Sequence, residues 1–475
     1  MDAVGAARLA GLVGDLGAER GPRYAALAAR LRLLVADGRL PVGARLPAER
    51  ELAPALGLSR DTVTSAYRRL RDDGWALARQ GAGTWTALPA GPVRAGWVPG
   101  PVGEGVLDLA HAAPAAPPQV PAAYAAALDE LPRLLPGHGY HPGGLPGLRA
   151  RIAERYARRG LPTTPEQVLV TSGALHGLSA CLDVLLRRGQ RVVVEDPGYP
   201  NALDALAAGG ARPARVPVAL GDGDGAVAAL SAAARATGAP LAYLVPDAQN
   251  PTGLTLDAAQ RRRLAAGLQG AGTLALVDET FAELALDGEP PPPLAAALAP
   301  GRSVSVGTLS KAVWGGLRVG WLRADPPLVH RLAAALARRE LSGPVVEQLA
   351  ACHLLDGLDA VLAERRPALR ASRAALVAAL GEHLPSWEVP VPSGGLFLWC
   401  RLPAPTSSAL VAAAARRGLH LAAGPRFGAG HAFEDRLRLP YTHPAPVLRR
   451  AVADLAAAAA DVAPQDGPAP AAYVV

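Results

Sequence analysis

Lysine is almost missing from this chain: it occurs once, as Lys311, and every other residue of its basic set of 48 is arginine. Asparagine occurs twice, at Asn201 and Asn250, and methionine only at position 1. This bias resembles that of high-GC coding and says nothing of function by itself. The three cysteines, Cys181, Cys352 and Cys400, are odd in number, far apart and in apolar contexts. They exclude a disulfide framework and suggest no metal cluster, so buried thiols are expected. No segment approaches the roughly 18 to 20 uninterrupted apolar residues of a membrane span. Asp15 and Glu19 stand where a signal peptide would carry its apolar core, so a cytoplasmic protein without membrane contact is expected.

What is present is enough for several cores. The chain has 475 residues, half of them apolar, with a net charge of +7 and a mean hydropathy of +0.17. That length exceeds the usual 100 to 200 or so residues of one domain, which excludes a lone binding module. Against the arginine bias, the surviving lysine is a candidate for chemistry that arginine cannot do. A guanidinium stays protonated, whereas an amine can lose its proton and attack a carbonyl to form a Schiff base.

The charge is concentrated near the N-terminus, where residues 21–86 carry eleven arginines against six acids. The pattern there predicts a helix from Tyr24 to Asp37, a second from Ala48 to Leu56, a turn at Gly57, and a third helix capped by Ser59 and running to about Asp73. On the third, Val63, Ala66, Tyr67 and Leu70 form one apolar stripe, leaving Arg60, Asp61, Thr64 and Arg68 on other faces. Short strands at 75–79 and 84–86 complete a winged helix-turn-helix, which sets its third helix in a DNA major groove. A Pro/Gly-rich linker follows over 87–105. From 106 to 461 the runs QVLVTS, QRVVVEDP, LAYLVPD, TLALVDE and SVSVGTLS alternate with helical segments, which predicts an α/β domain with a mostly parallel sheet. Residues 462–475 read as a frayed tail.

The first segment, with LPAERELA, LGLSRDTVTSAYRRLRDDGW and RQGAGT, resembles the DNA-binding domain of the GntR family of transcription regulators. The resemblance implies contacts to DNA from Arg50, Ser59, Arg60, Thr62, Thr64 and Gly81. Hydroxyls, arginines and helix N-termini are suited to phosphates and guanine edges, although Ser59 and Thr62 also fit plain helix capping. Pro54 departs from the family pattern and should bend the end of the second helix.

The second segment resembles the fold-type I pyridoxal-phosphate (PLP) enzymes, the aspartate aminotransferase superfamily, with a large α/β domain and a smaller α+β one. In SVSVGTLSKAVWGGLRVGW the resemblance makes Lys311 the Schiff-base lysine, next to Ser310, and Arg318 a ligand of the cofactor phosphate. TSGALHGL offers Ser172, Gly173 and Ala174 at a helix N-terminus, which suits the same phosphate. By resemblance Tyr199 stacks on the pyridine ring, Asn250 bonds its phenolic oxygen and Asp278 keeps its nitrogen protonated. Relatives place a tyrosine two or three residues after that aspartate; here Thr280 and Phe281 stand there. Tyr140 resembles the tyrosine that reaches the phosphate in the neighbouring subunit. In FEDRLRLPY, Arg438 fits best as the clamp on a substrate or effector carboxylate, with Arg436 as the alternative.

The two segments together resemble the MocR subfamily of GntR-type regulators over residues 21 to 460. This implies a homodimer that binds a double-stranded operator and senses PLP or a small amino compound at Lys311. The competing expectations are a working aminotransferase with an appended DNA-binding domain and a regulator that senses PLP alone.

Overall fold

The computed structural model describes residues 4–14, 16, 22–36, 39–41, 43–79, 83–87, 105–429 and 432–462. Most of the expected linker, the wing residue Gly81 and nearly all of the expected tail lie outside them. The chain divides into two compact units, residues 1–111, 401–437 and 450–475 forming the first and residues 112–400 and 438–449 the second.

The first unit begins with helices α1 (Ala6–Val13), α2 (Arg23–Ala36), α3 (Glu49–Ala55) and α4 (Arg60–Asp72), then a hairpin of β1 (Ala76–Arg79) and β2 (Gly83–Thr86). Ser59 caps α4, its hydroxyl oxygen accepting from the Thr62 N–H at 3.1 Å. All four residues of the expected stripe, Val63, Ala66, Tyr67 and Leu70, are buried. Tyr67 also donates its hydroxyl to the Pro47 carbonyl at 2.9 Å, which ties α4 to the chain entering α3. Pro54 lies in the last turn of α3, where it has no N–H to give to the Arg50 carbonyl, and the helix stops a residue later. The sequence reading left out α1, whose Leu9 and Val13 are fully buried in the same core as Leu27, Leu31 and Val63. This unit also holds β3 (Leu107–Leu109), which pairs in parallel with a strand far along the chain, Leu419–Ala423.

The second unit is built on a seven-stranded sheet. Its strands are β4 (Val168–Thr171), β5 (Arg191–Asp196), β6 (Arg212–Pro217), β7 (Leu241–Leu244), β8 (Leu274–Asp278), β9 (Ser303–Thr308) and β10 (Gly320–Arg323), in the order β4-β10-β9-β8-β7-β5-β6. Neighbours from β9 to β6 are parallel and only β10 runs the other way, between β4 and β9. Four of these strands, β4, β7, β8 and β9, are buried almost throughout; β4, β7 and β8 accordingly read as apolar runs, while β9 alternates buried serines with valines. The remaining strands, β11 (Phe397–Arg401), β12 (Leu419–Ala423) and β13 (Arg436–Pro440), form a four-stranded sheet of order β11-β13-β12-β3. Among the described residues no helix is long and apolar enough to cross a membrane. All three cysteines are buried free thiols.

Candidate functional site

In an open parallel sheet, ligands gather beyond the carboxyl ends of the strands. The expected site residues fall there. Ser172 and Gly173 follow β4, Tyr199 follows β5, Asn250 follows β7, Asp278 ends β8, and Ser310 and Lys311 follow β9.

Lys311 is half-buried and donates its ammonium to the Ala112 carbonyl at 2.8 Å. Its pKa is pulled down to about 8, first by burial and then by the positive charge of Arg438, with a smaller contribution from Arg318; the Asp278 carboxylate opposes the fall. Four groups far apart in sequence therefore share one electrostatic environment. Asp278 is buried and accepts from the Tyr243 hydroxyl at 2.8 Å and from the Thr280 N–H at 2.9 Å. Burial first, and the Asp278 charge second, hold the Tyr243 hydroxyl well above its ordinary pKa, so it remains a donor. The Tyr199 hydroxyl is pushed up to about 12 by the same two causes and accepts from Asn201 at 3.1 Å.

Arg438, on β13, is almost wholly buried. It donates to the Asn250 side-chain oxygen at 3.0 Å, and its guanidinium lies 5.4 Å over the Phe397 ring. Phe281 packs edge-on against that same ring at 5.3 Å. Arg436 is only half-buried and pairs with Asp435 at 3.6 Å. Of the two arginines, Arg438 is the one set against Asn250.

At the anion end, helix α7, here Ala174–Leu185 (α5 being Gln119–Glu130 and α6 Pro146–Arg158), opens directly after Gly173 with its first N–H groups unpaired within the helix. Arg318 is exposed, has φ +52°, and donates to the Ser172 carbonyl at 2.8 Å. A Cβ at Gly173 would stand 2.7 Å from the Arg318 guanidinium, and Gly173 has φ +96°; only glycine leaves this cradle open. The Ser172 hydroxyl donates to a Glu340 carboxylate oxygen at 2.6 Å, and that carboxylate also pairs with His176 at 3.1 Å. Ser310 and Thr308 share a hydroxyl bond of 2.8 Å.

Tyr140 is 54% exposed and stacks on His138. In the winged helix, Arg60 and Ser59 are exposed, Thr62 and Thr64 are half-buried, and Arg50 is 79% exposed with a 3.9 Å contact to Glu51. The sequence reading missed Tyr243, Phe397, Glu340 and His176. It also missed a cluster of Asp108, His111 and His420 in the first unit. Tyr243, Phe397 and Glu340 have no local motif, since each acts on a residue distant in sequence; His111 lies only three residues from Asp108, and the link from that pair to His420 is the long-range one.

A nucleophilic amine, a carboxylate one strand away, a glycine-floored anion cradle and a buried arginine together fit a phosphorylated, electron-withdrawing carbonyl compound and a carboxylated partner for it. With the winged helix, they define a DNA-binding module fused to an aminotransferase-type domain.

Comparison with known proteins agrees. Residues 111–455 match the model of aminotransferase class I and II, and residues 23–85 match that of the bacterial regulatory proteins of the gntR family. The chain belongs to the MocR subfamily of GntR-type regulators. It is 32% identical to the HTH-type pyridoxine biosynthesis transcriptional regulator PdxR of Corynebacterium glutamicum over 87% of this chain and 93% of that one. It is 29% identical to the probable rhizopine catabolism regulatory protein MocR of Rhizobium meliloti, over 77% and 78% of the two chains. Among solved structures it resembles LysN, the α-aminoadipate aminotransferase of Thermus thermophilus complexed with N-(5'-phosphopyridoxyl)-L-leucine. The TM-score is 0.69 at 28% identity, covering 76% of this chain and 94% of that one.

Proposed function

We propose that this protein is a cytoplasmic, homodimeric transcription regulator that binds a double-stranded operator through its winged helices and senses PLP, or an amino compound captured with it, at Lys311. The observation that carries the reading is the chain's one lysine, with its pKa lowered to about 8, in the company of Asp278, Asn250, Arg318 and Arg438. When bound, PLP supplies an aldehyde that takes up primary amines reversibly and a pyridine ring that withdraws electrons.

The chain's own groups divide the remaining work. Lys311 brings the amine. The N-terminus of α7, with Ser172, Gly173, Ala174 and Arg318, holds the phosphate dianion through N–H donors, the helix dipole and a guanidinium. Asp278, steadied by Tyr243 and the Thr280 N–H, would keep a proton on the ring nitrogen. Tyr199 would face the ring, Asn250 would meet its phenolic oxygen, and Ser310 flanks Lys311. Arg438 takes a carboxylate of the effector, and Tyr140, exposed in one chain, reaches the phosphate held by the partner subunit. In the winged helix Arg50, Ser59, Arg60, Thr62 and Thr64, with Gly81 of the wing, contact the operator. Thr280 and Phe281 stand where the resemblance expects a tyrosine, which fits a site that retains its captured amine.

The experiment is an absorbance spectrum of the PLP-loaded protein before and after borohydride reduction, beside Lys311→Ala. A visible band that reduction fixes to the wild-type chain and that the variant lacks supports the reading. No band in either protein removes it, and many turnovers of 2-oxo acid from an amino donor would instead identify a working aminotransferase.

A further inference from the structure

Away from that site, three side chains of metal-ligand type converge in the first unit. Asp108 on β3 and His420 on β12 are partners in the parallel register, so their side chains leave the same face of the sheet. His111 comes three residues later, in the turn that leaves β3. The backbone fixes the carboxylate: Asp108 Oδ1 accepts from the N–H groups of Ala110 at 2.9 Å and of His111 at 3.3 Å. That turn carries the His111 ring back over the acid, with Nδ1 2.6 Å from Oδ2, while His420 Nδ1 stands 3.2 Å from Oδ1. The two imidazole rings are 5.7 Å apart and tilted. All three residues are half-buried, and one donor atom from each lies within 4.8 Å of the others.

We propose that Asp108, His111 and His420 form a binding site for a borderline divalent transition ion, with Zn²⁺ as the reference case. An ion holding nitrogen and oxygen donors at about 2.0–2.2 Å in a tetrahedron sets them roughly 3.3 Å apart. The 3.2 Å between Asp108 and His420 is already close to that value, and the 2.6 Å between Asp108 and His111 would open by less than an ångström. Two imidazoles select against Ca²⁺ and Mg²⁺, which take oxygen ligands. Three protein ligands leave the fourth position to water or to a small ligand, as in open zinc sites. The ion would fasten β3, the first strand after the segment that leaves the winged helix, to β12 some 300 residues later.

A carboxylate that accepts two imidazole N–H groups with no ion is the competing arrangement, and the test separates the two. Full-length, tag-free, chelator-stripped protein is titrated with Zn²⁺ by calorimetry and with Co²⁺ by visible absorbance, beside His420→Ala and His111→Gln. The expected result is one Zn²⁺ per chain and Co²⁺ bands of low-symmetry coordination, both weakened at least about tenfold in each variant. His420→Gln keeps a hydrogen bond to Asp108 without a metal-binding nitrogen; it replaces the alanine variant if circular dichroism shows that variant unfolded. Absence of binding in the wild type, or uptake of equal affinity in folded variants of both histidines, would overturn the site.

Discussion

At the scale of the residue, Lys311 gives the sharpest expectation, because labelling of side-chain amines in this chain reports on that residue alone. With its pKa near 8, roughly a tenth of the amine is neutral at pH 7, against well under a thousandth for an ordinary lysine. Its labelling rate by an amine-selective reagent should therefore rise through a midpoint near pH 8 and level off above it, peptide mapping separating it from the N-terminal amine. A midpoint above 10 would mean that Arg438 and burial do not act on it. Arg438→Ala should leave PLP loading intact while weakening capture of carboxylated amines by about tenfold or more, since a charge-assisted bidentate bond is lost. Decarboxylated amines should bind both proteins alike, and a titration of the visible band with each amine checks this. Lys311 and Asn250 stood out in the sequence because a lone lysine and a rare asparagine are conspicuous against the arginine-rich background, whereas Arg318 was singled out only by its place after Lys311. Phe397 under Arg438, and Glu340 on Ser172, were not, since each is a contact made across about 40 and 170 residues respectively.

At the scale of the element, strands that end in chemistry were legible for a physical reason. Buried on both faces, β4, β7 and β8 write apolar runs, and the polar residues that break them, Thr171 and Asp278 among them, are those at the ligand end of the sheet. The antiparallel β10 and the short β3 carry no such signature and emerged only from pairing. Tyr243 belongs to this class too: in LAYLVPD it passes for a core aromatic, yet its hydroxyl steadies Asp278. Tyr243→Phe should cost about 1.5–3 kcal/mol of stability, the usual worth of a hydrogen bond to a buried charge. In an Asp278→Asn background the same change should cost less, and urea unfolding of the four proteins measures the difference. In the winged helix, α4 was legible from its stripe and cap, whereas α1 was not, because eight residues rich in alanine and leucine show a core face only once α2 and α3 are packed against them. Ser59→Ala should cost about 1 kcal/mol through loss of the cap. If Ser59 also contacts DNA, operator affinity should fall by more than a helix loosened by that amount explains, which Ser59→Gly, a tolerated cap, would show directly.

At the scale of the whole molecule, a DNA-binding module is joined to a domain whose enzymatic relatives handle amino acids. Shared sites in a dimer predict complementation. Mixing Lys311→Ala chains with Tyr140→Ala chains, neither of which loads PLP well alone, should restore one working site per mixed dimer, read as recovered visible absorbance; no recovery would place Tyr140 outside the site. A ligand can shift operator binding only by its differential affinity for two states of the protein, so PLP or its captured amine must bind those states unequally. The measurement that tests this most directly takes the duplex selected by the full-length protein from a random DNA pool and follows its affinity by fluorescence anisotropy, at fixed salt, with and without PLP and a mixture of amino acids. The account predicts an affinity that changes several-fold in the wild type and stays constant in Lys311→Ala. Equal affinity in every condition, with PLP shown to be bound, would contradict it.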